Sequence, residues 1–141
     1  MKELLKERLH HYIVVNNPEL LVRTGGFSIP QYINDKVELA MEQLEKHHIA
    51  RMTNDEMIER YMALMTAELL PSKFNYLKAV IEQEYPREFT ALREQGVLTS
   101  KVIGIMERCA DAFEGFGFST EAEVDNTKLR HAIIAIVHRE L

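Results

Sequence analysis

Apolar residues recur every third or fourth position along nearly the whole chain, from Leu5, Leu9 and Ile13 to Leu129, Ile133 and Val137. Nowhere does a run of β-branched residues alternate with polar ones. A repeat near 3.6 places such residues on one stripe of an α-helix, whereas a half-buried strand needs a period of two. The pattern therefore predicts an all-α protein. Its interruptions, at Asn16-Asn17-Pro18, Gly25-Gly26, Leu70-Pro71, Pro86, Gly96 and Phe113 to Thr120, predict a bundle of about five to seven helices. At 141 residues the chain is the size of one domain. A chain this long can bury roughly two thirds of its unfolded surface without a disulfide or metal, so residues 1–141 are expected to form a single domain with one core.

Helix starts carry recognisable devices. The first helix, about Lys2 to Val15, has Leu5, Leu9, Tyr12 and Ile13 on one face. Asn17 and Pro18 then read as a cap and first-position pair opening a short turn to Arg23. Ser28-Ile-Pro-Gln31 and Thr53-Asn-Asp-Glu56 have the spacing of a capping box. The first of these opens a helix with Ile33, Val37, Ala40, Met41, Leu44 and His48 on one stripe. The second opens MIERYMALMTAELL, apolar around most of its circumference, which belongs in the middle of a bundle.

Ser72 is placed to cap a helix carrying Phe74, Leu77, Ile81 and Tyr85. Pro86 then restarts it, because proline lacks an N–H and restricts the residue before it, and Gly96 ends the continuation. One helix from Thr99 is expected to carry Val102, Ile105, Met106, Cys109 and Phe113, and a last one Leu129, Ile133, Ile136 and Val137.

The stretch FEGFGFST, Phe113 to Thr120, resembles a glycine-rich ligand loop only in composition. A phosphate-cradling loop follows a strand and carries a lysine, whereas a helix precedes this one and the next lysine is Lys128. Glu107, Asp111, Glu114, Glu121, Glu123 and Asp125 surround it with only Arg108 opposing, a field that repels phosphate. The expected roles are structural: Gly115 in the left-handed conformation, Thr120 to Glu123 capping the next helix, and the phenylalanines plugging the bundle end.

The formal net charge is −5, so no global positive field attracts a nucleic-acid backbone. Lys2, Lys6 and Arg8 near one end, and Lys128, Arg130 and Arg139 near the other, would form a local basic patch only if the ends met. Cys109 is the single cysteine, sits among apolar residues and reads as a buried, inert thiol, which points to a cytoplasmic protein. MKELLKERLHHY is charged every few residues, unlike a signal peptide or a membrane span, so no membrane contact is expected.

Two Glu-x-x-His units, Glu7-Arg-Leu-His10 and Glu45-Lys-His-His48, reproduce the local motif of carboxylate-bridged di-iron bundles. Turning 100° per residue puts Glu7 nearly opposite the stripe of Leu5, Leu9 and Tyr12, with Glu45 at the rim of its own stripe. Glu7, His10, Glu45 and His48 are thus the metal candidates, read as solvated helix faces, and no cofactor is expected. The neighbours His10-His11 and His47-His48 diverge by about 100° on a helix and do not chelate one ion. No nucleophile-elbow motif is present, no catalytic residue is predicted, and the chain is expected not to be an enzyme. Met52, Met57, Met62 and Met65 cluster around the third helix. Flexible thioethers fill irregular cores and also line adaptable binding surfaces.

LLPSKFNYLKAVIEQEYPREF, with NNPELL and a YIN…ELAMEQLEK helix before it in the same order, resembles a domain-of-unknown-function family of small all-helical Bacteroidetes proteins, often encoded on conjugative-transposon-like mobile elements. The likeness spans roughly Tyr12 to Phe89; beyond Thr90, NTKLRHAIIAIVHREL replaces that family's Tyr/Leu/Thr-rich final segment. The resemblance implies a cytoplasmic accessory protein near DNA-handling machinery and carries no catalytic residue. The leading expectation is a non-enzymatic helical interaction or accessory module, self-association being its simplest form. The alternatives are a small DNA-binding or regulatory protein of a mobile element and a carboxylate-histidine metal-binding helical protein.

Overall fold

Helices form where the apolar stripes place them. The computed structural model describes residues 1–45, 52–119 and 126–141, the side chain of Glu45 excepted. Among them are α1 (Lys2–Asn16), a 3-10 turn (Pro18–Val22), α2 (Ile29–Glu45), α3 (Asn54–Thr66), a second 3-10 turn (Ala67–Leu69), α4 (Lys73–Glu84), α5 (Pro86–Glu94), α6 (Leu98–Arg108), α7 (Ala110–Gly115) and α8 (Thr127–Glu140). No strand occurs among the described residues, and the fold is all-α.

Most helix starts follow the sequence. At Thr53 the capping box is complete: the Glu56 amide donates to Thr53 Oγ1 at 3.2 Å, and the Thr53 amide to Glu56 Oε2 at 3.4 Å. Ser72 Oγ accepts from the Asn75 amide at 3.0 Å. At Ser28 only half the box forms, because Gln31 donates its side-chain amide to Asp35, at 2.7 Å, rather than reaching back. Asn17 does not cap the turn after it; its side chain donates instead to Glu19 Oε1 at 3.2 Å. That leaves Asn17 Oδ1 and Glu19 Oε2 buried with no hydrogen-bond partner among the described residues.

The chain divides into two compact units, Met1–Leu70 and Pro71–Leu141. Where one core was expected, the buried apolar residues fall into two clusters, one in each unit. In the first unit α1, α2 and α3 pack on one another. The core takes Leu5, Leu9 and Ile13 from α1, Ile33, Val37 and Ala40 from α2, and Tyr61 and Met65 from α3. Each large side chain removed from water there contributes about 1.5–3 kcal/mol. Within the first unit helix α3 is buried along only part of its circumference. It buries Tyr61, Met65 and Thr66, leaves Met57, Ile58 and Met62 half-buried, and exposes Ala63 and Leu64. Within the first unit α1 and α2 pack against α3.

In the second unit α4 packs against α5, α6 and α8. Phe74, Leu77, Val80 and Ile81 meet Phe89, Val102, Ile105, Leu129, Ile133 and Val137. Pro86 starts α5, as its missing N–H allows. The single helix expected from Thr99 is two. It breaks at Cys109 (φ −93°, ψ 0°), whose amide is shared by the carbonyls of Ile105 and Met106, each at 3.1 Å. Cys109 and Phe113 are both buried in this core.

The end of α7 corrects the expected glycine. Gly115 is helical; the left-handed residue is Gly117, with φ 67°. Its amide donates to Glu114 O at 3.4 Å, and the next amide, that of Phe118, to Phe113 O at 3.1 Å. This is the paired hydrogen bonding of a Schellman cap, in which the left-handed residue lies two places beyond the last full turn. Phe113 and Phe118 form the plug, whereas Phe116 is 42% exposed. The cap expected from Thr120 to Glu123 lies outside the described residues. Asn126 caps α8 instead, accepting from the Leu129 amide at 3.0 Å and donating to Phe116 O at 2.7 Å.

Candidate functional site

Helix α1 carries two stripes. Leu5, Leu9 and Ile13 point into the core, while Leu4, Arg8, His11 and Val15, also spaced by three and four, form a second row turned away from it. Beside this row α1 and α3 enclose a groove of about 440 Å³ lined by Leu4, Glu7, Arg8, His11, Tyr12 and Met62. Tyr12 and Met62 are half-buried, whereas Leu4, Glu7, Arg8 and His11 are exposed. The groove thus joins an apolar lining to a rim with one acid, one base and one imidazole.

The rim charges are unusual for this helix. Lys2 pairs with Glu38 at 3.1 Å and Lys6 with Glu3 at 3.7 Å, but Glu7 and Arg8 have no ion pair among the described residues. Lys2 and Lys6, and Arg130, which pairs with Glu84 at 2.9 Å, are therefore already partnered by carboxylates.

Of the sequence candidates for a metal, Glu7 and His10 are exposed on α1. The side chain of Glu45 and all of His48 lie outside the described residues. Among the described residues no group of three or more His, Cys, Asp or Glu could hold a metal ion. The structure brings Glu7 together with Met62, a methionine whose place in the sequence favours core filling over a binding surface, and which lines the groove half-buried. Leu4 and His11 went unrecognised as site residues; the signal was present in the second row, offset by one residue from the core stripe.

Each unit also carries a polar cluster whose residues do not line this groove. In the first unit Tyr32 donates its hydroxyl to Glu68 Oε1 at 2.7 Å and Lys36 pairs with the same oxygen, tying α2 to the 3-10 turn after α3. Burial first, and Glu68 second, pushes the Tyr32 phenol well above its usual range; Lys36 first and Tyr32 next hold the Glu68 carboxyl below its own. In the second unit a cavity of about 430 Å³ is lined by Lys78, Glu82, Phe89, Arg93, Gly96, Leu98 and Thr99. Lys78 lies over the Phe74 ring and Arg93 over the Phe89 ring, at 5.9 and 5.7 Å, so the two cations are held by aromatic faces. The Cys109 thiol, pushed up to about 11 by burial and then by Glu140, is no nucleophile at neutral pH. No described helix is long and apolar enough to cross a membrane.

No protein-family model, no curated protein and no solved structure matches this chain.

Proposed function

We propose that this chain is a non-enzymatic interaction module that receives an apolar helical segment of a protein partner in the groove between α1 and α3. The observation that carries the proposal is the groove itself, where Leu4, Tyr12 and Met62 supply apolar surface inside a rim of Glu7, Arg8 and His11. An amphipathic helix inserts its apolar face into such a groove, and a methionine adapts to the shape presented. The accessory role and cytoplasmic setting implied by the family resemblance belong to the same proposal. Contact with DNA through the terminal basic residues has less support, since Lys2, Lys6 and Arg130 pair with carboxylates.

The test is selection of helical peptides from a displayed library on the intact chain, followed by titration of the enriched peptides against Met62→Lys. The expected result is enrichment of sequences with apolar residues at i, i+4 and i+7, whose binding Met62→Lys weakens about tenfold or more while melting is retained. Absence of any enriched peptide, or binding indifferent to Met62→Lys, would overturn the proposal.

A further inference from the structure

We infer that the cavity of the second unit is a binding site for a small organic monocarboxylate, whose charged end meets Lys78 and Arg93 and whose apolar body lies on Phe89 and Leu98. The site is walled by α4, α5 and the start of α6, three helices of one unit that pack on one another. It shares no residue with the α1–α3 groove and does not depend on that reading.

Three observations carry the inference. First, the cavity has the size and make-up of a small-molecule site: about 430 Å³, with apolar surface and a few polar groups in its lining. Phe89 and Leu98 are themselves members of the buried core, so the apolar wall is fixed by packing. Second, two cations from different helices line it, Lys78 from α4 and Arg93 from α5. Neither has an ion pair among the described residues, although Lys2, Lys36 and Arg130 elsewhere in the chain have found carboxylates. Arg93 lies over the Phe89 ring, 5.7 Å from its centroid, which sets the guanidinium beside the apolar wall. A guanidinium holds a carboxylate through two parallel hydrogen bonds, and the ring it rests on meets the rest of the ligand. Third, the charge count selects the ligand. Two cations, Lys78 and Arg93, against one acid, Glu82, leave a single net positive charge in the lining, which a monoanion balances. A phosphate monoester carries close to two negative charges at neutral pH and meets correspondingly stronger repulsion from Glu82. Thr99 contributes a hydroxyl to the lining, a neutral donor compatible with the same anion.

The experiment is an amide NMR titration of the full chain with phenylacetate, set against the uncharged phenylacetamide and against phenyl phosphate. Phenylacetate is expected to saturate shifts at the amides of Gly96, Leu98 and Thr99 with a dissociation constant of about 1 mM or tighter, and the other two compounds to bind about tenfold more weakly or worse. Arg93→Gln and Lys78→Gln are each expected to weaken phenylacetate about tenfold, the loss of one charge-assisted hydrogen bond. Glu82→Gln is expected to tighten it about threefold, because it removes the one repelling charge. Arg93 and Glu82 are exposed, and thermal melting verifies that every variant is folded. A gain of affinity at Glu82→Gln separates loss of repulsion from damage to the fold, which lowers binding. Absence of saturable shifts with phenylacetate at roughly ten times that concentration overturns the inference. So does equal binding of phenylacetamide, which shows that the charge is not read. Phenyl phosphate binding as tightly as phenylacetate, or a folded Glu82→Gln variant that binds phenylacetate more weakly than wild type, overturns the choice of a monoanion and with it the inference.

Discussion

The amide of Phe118 donates to the carbonyl of Phe113 at 3.1 Å, and the two rings meet edge to face with centroids 4.9 Å apart. A backbone bond and an apolar contact thus close α7 between the same pair of residues. Phe113→Ala should cost about 3–5 kcal/mol because its ring is buried, and Phe118→Ala about 1–2 kcal/mol because its ring is partly covered. Phe116→Ala should change stability by no more than about 0.5 kcal/mol. Gly117→Ala should cost about 1 kcal/mol in left-handed strain, while Gly115→Ala, at a helical position with open space around it, should be neutral or slightly stabilising. Urea titrations of the five variants decide the order; a larger loss at Gly115 than at Gly117 contradicts the cap.

The Tyr32–Glu68 bond makes stability depend on pH in a stated direction. Glu68 binds its proton more weakly in the folded state. Its contribution is therefore present above the unfolded carboxyl value of about 4.3 and is lost as pH falls through the lower folded value. Tyr32 is shifted upward, so its contribution is complete below about pH 10 and is lost as pH rises through the folded value. The Glu68 side chain is 54% exposed, so solvent screens the pair, and Glu68→Gln should cost no more than about 1 kcal/mol at neutral pH. The difference between wild type and Glu68→Gln should shrink on acidification below the folded value. A difference that stays constant into strong acid argues that the carboxylate makes no contribution.

Cys109 should be silent in the native protein. Its side chain is fully buried and its thiol is pushed up to about 11, so an aromatic disulfide reagent at neutral pH should label it only after denaturant is added. Cys109→Ser places a hydroxyl in the core at a cost of about 1–3 kcal/mol. Rapid labelling without denaturant would show that the α6–α7 break opens in the native state.

The two cores differ in size, and amide exchange should report it. Among the described residues the core of the second unit has fourteen buried members and that of the first has eight. Exchange at the centres of α4, α6 and α8 should be slower than at those of α1, α2 and α3 by about tenfold, corresponding to about 1.4 kcal/mol of local stability. Uniform protection in all six helices is the contrary outcome.

Local structure was legible in the sequence because its causes are local. The stripes of Leu5-Leu9-Ile13 and Leu129-Ile133-Val137, the capping box at Thr53, the Ser72 cap and the restart at Pro86 follow from a 3.6-residue period and from backbone groups within four residues of one another. The phase of α1 likewise sufficed to put Glu7 in water. Tertiary structure decided which apolar faces find a neighbour. MIERYMALMTAELL is apolar on nearly every side, but α1 and α2 cover only part of it, leaving Met62 half-buried in a groove and Leu64 in solvent. Phe116 and Phe118 are chemically alike, and only the left turn at Gly117 sends one ring outward and the other into the core. Periodicity states that a face is apolar; coverage depends on segments distant in the chain, and packing among them makes that choice.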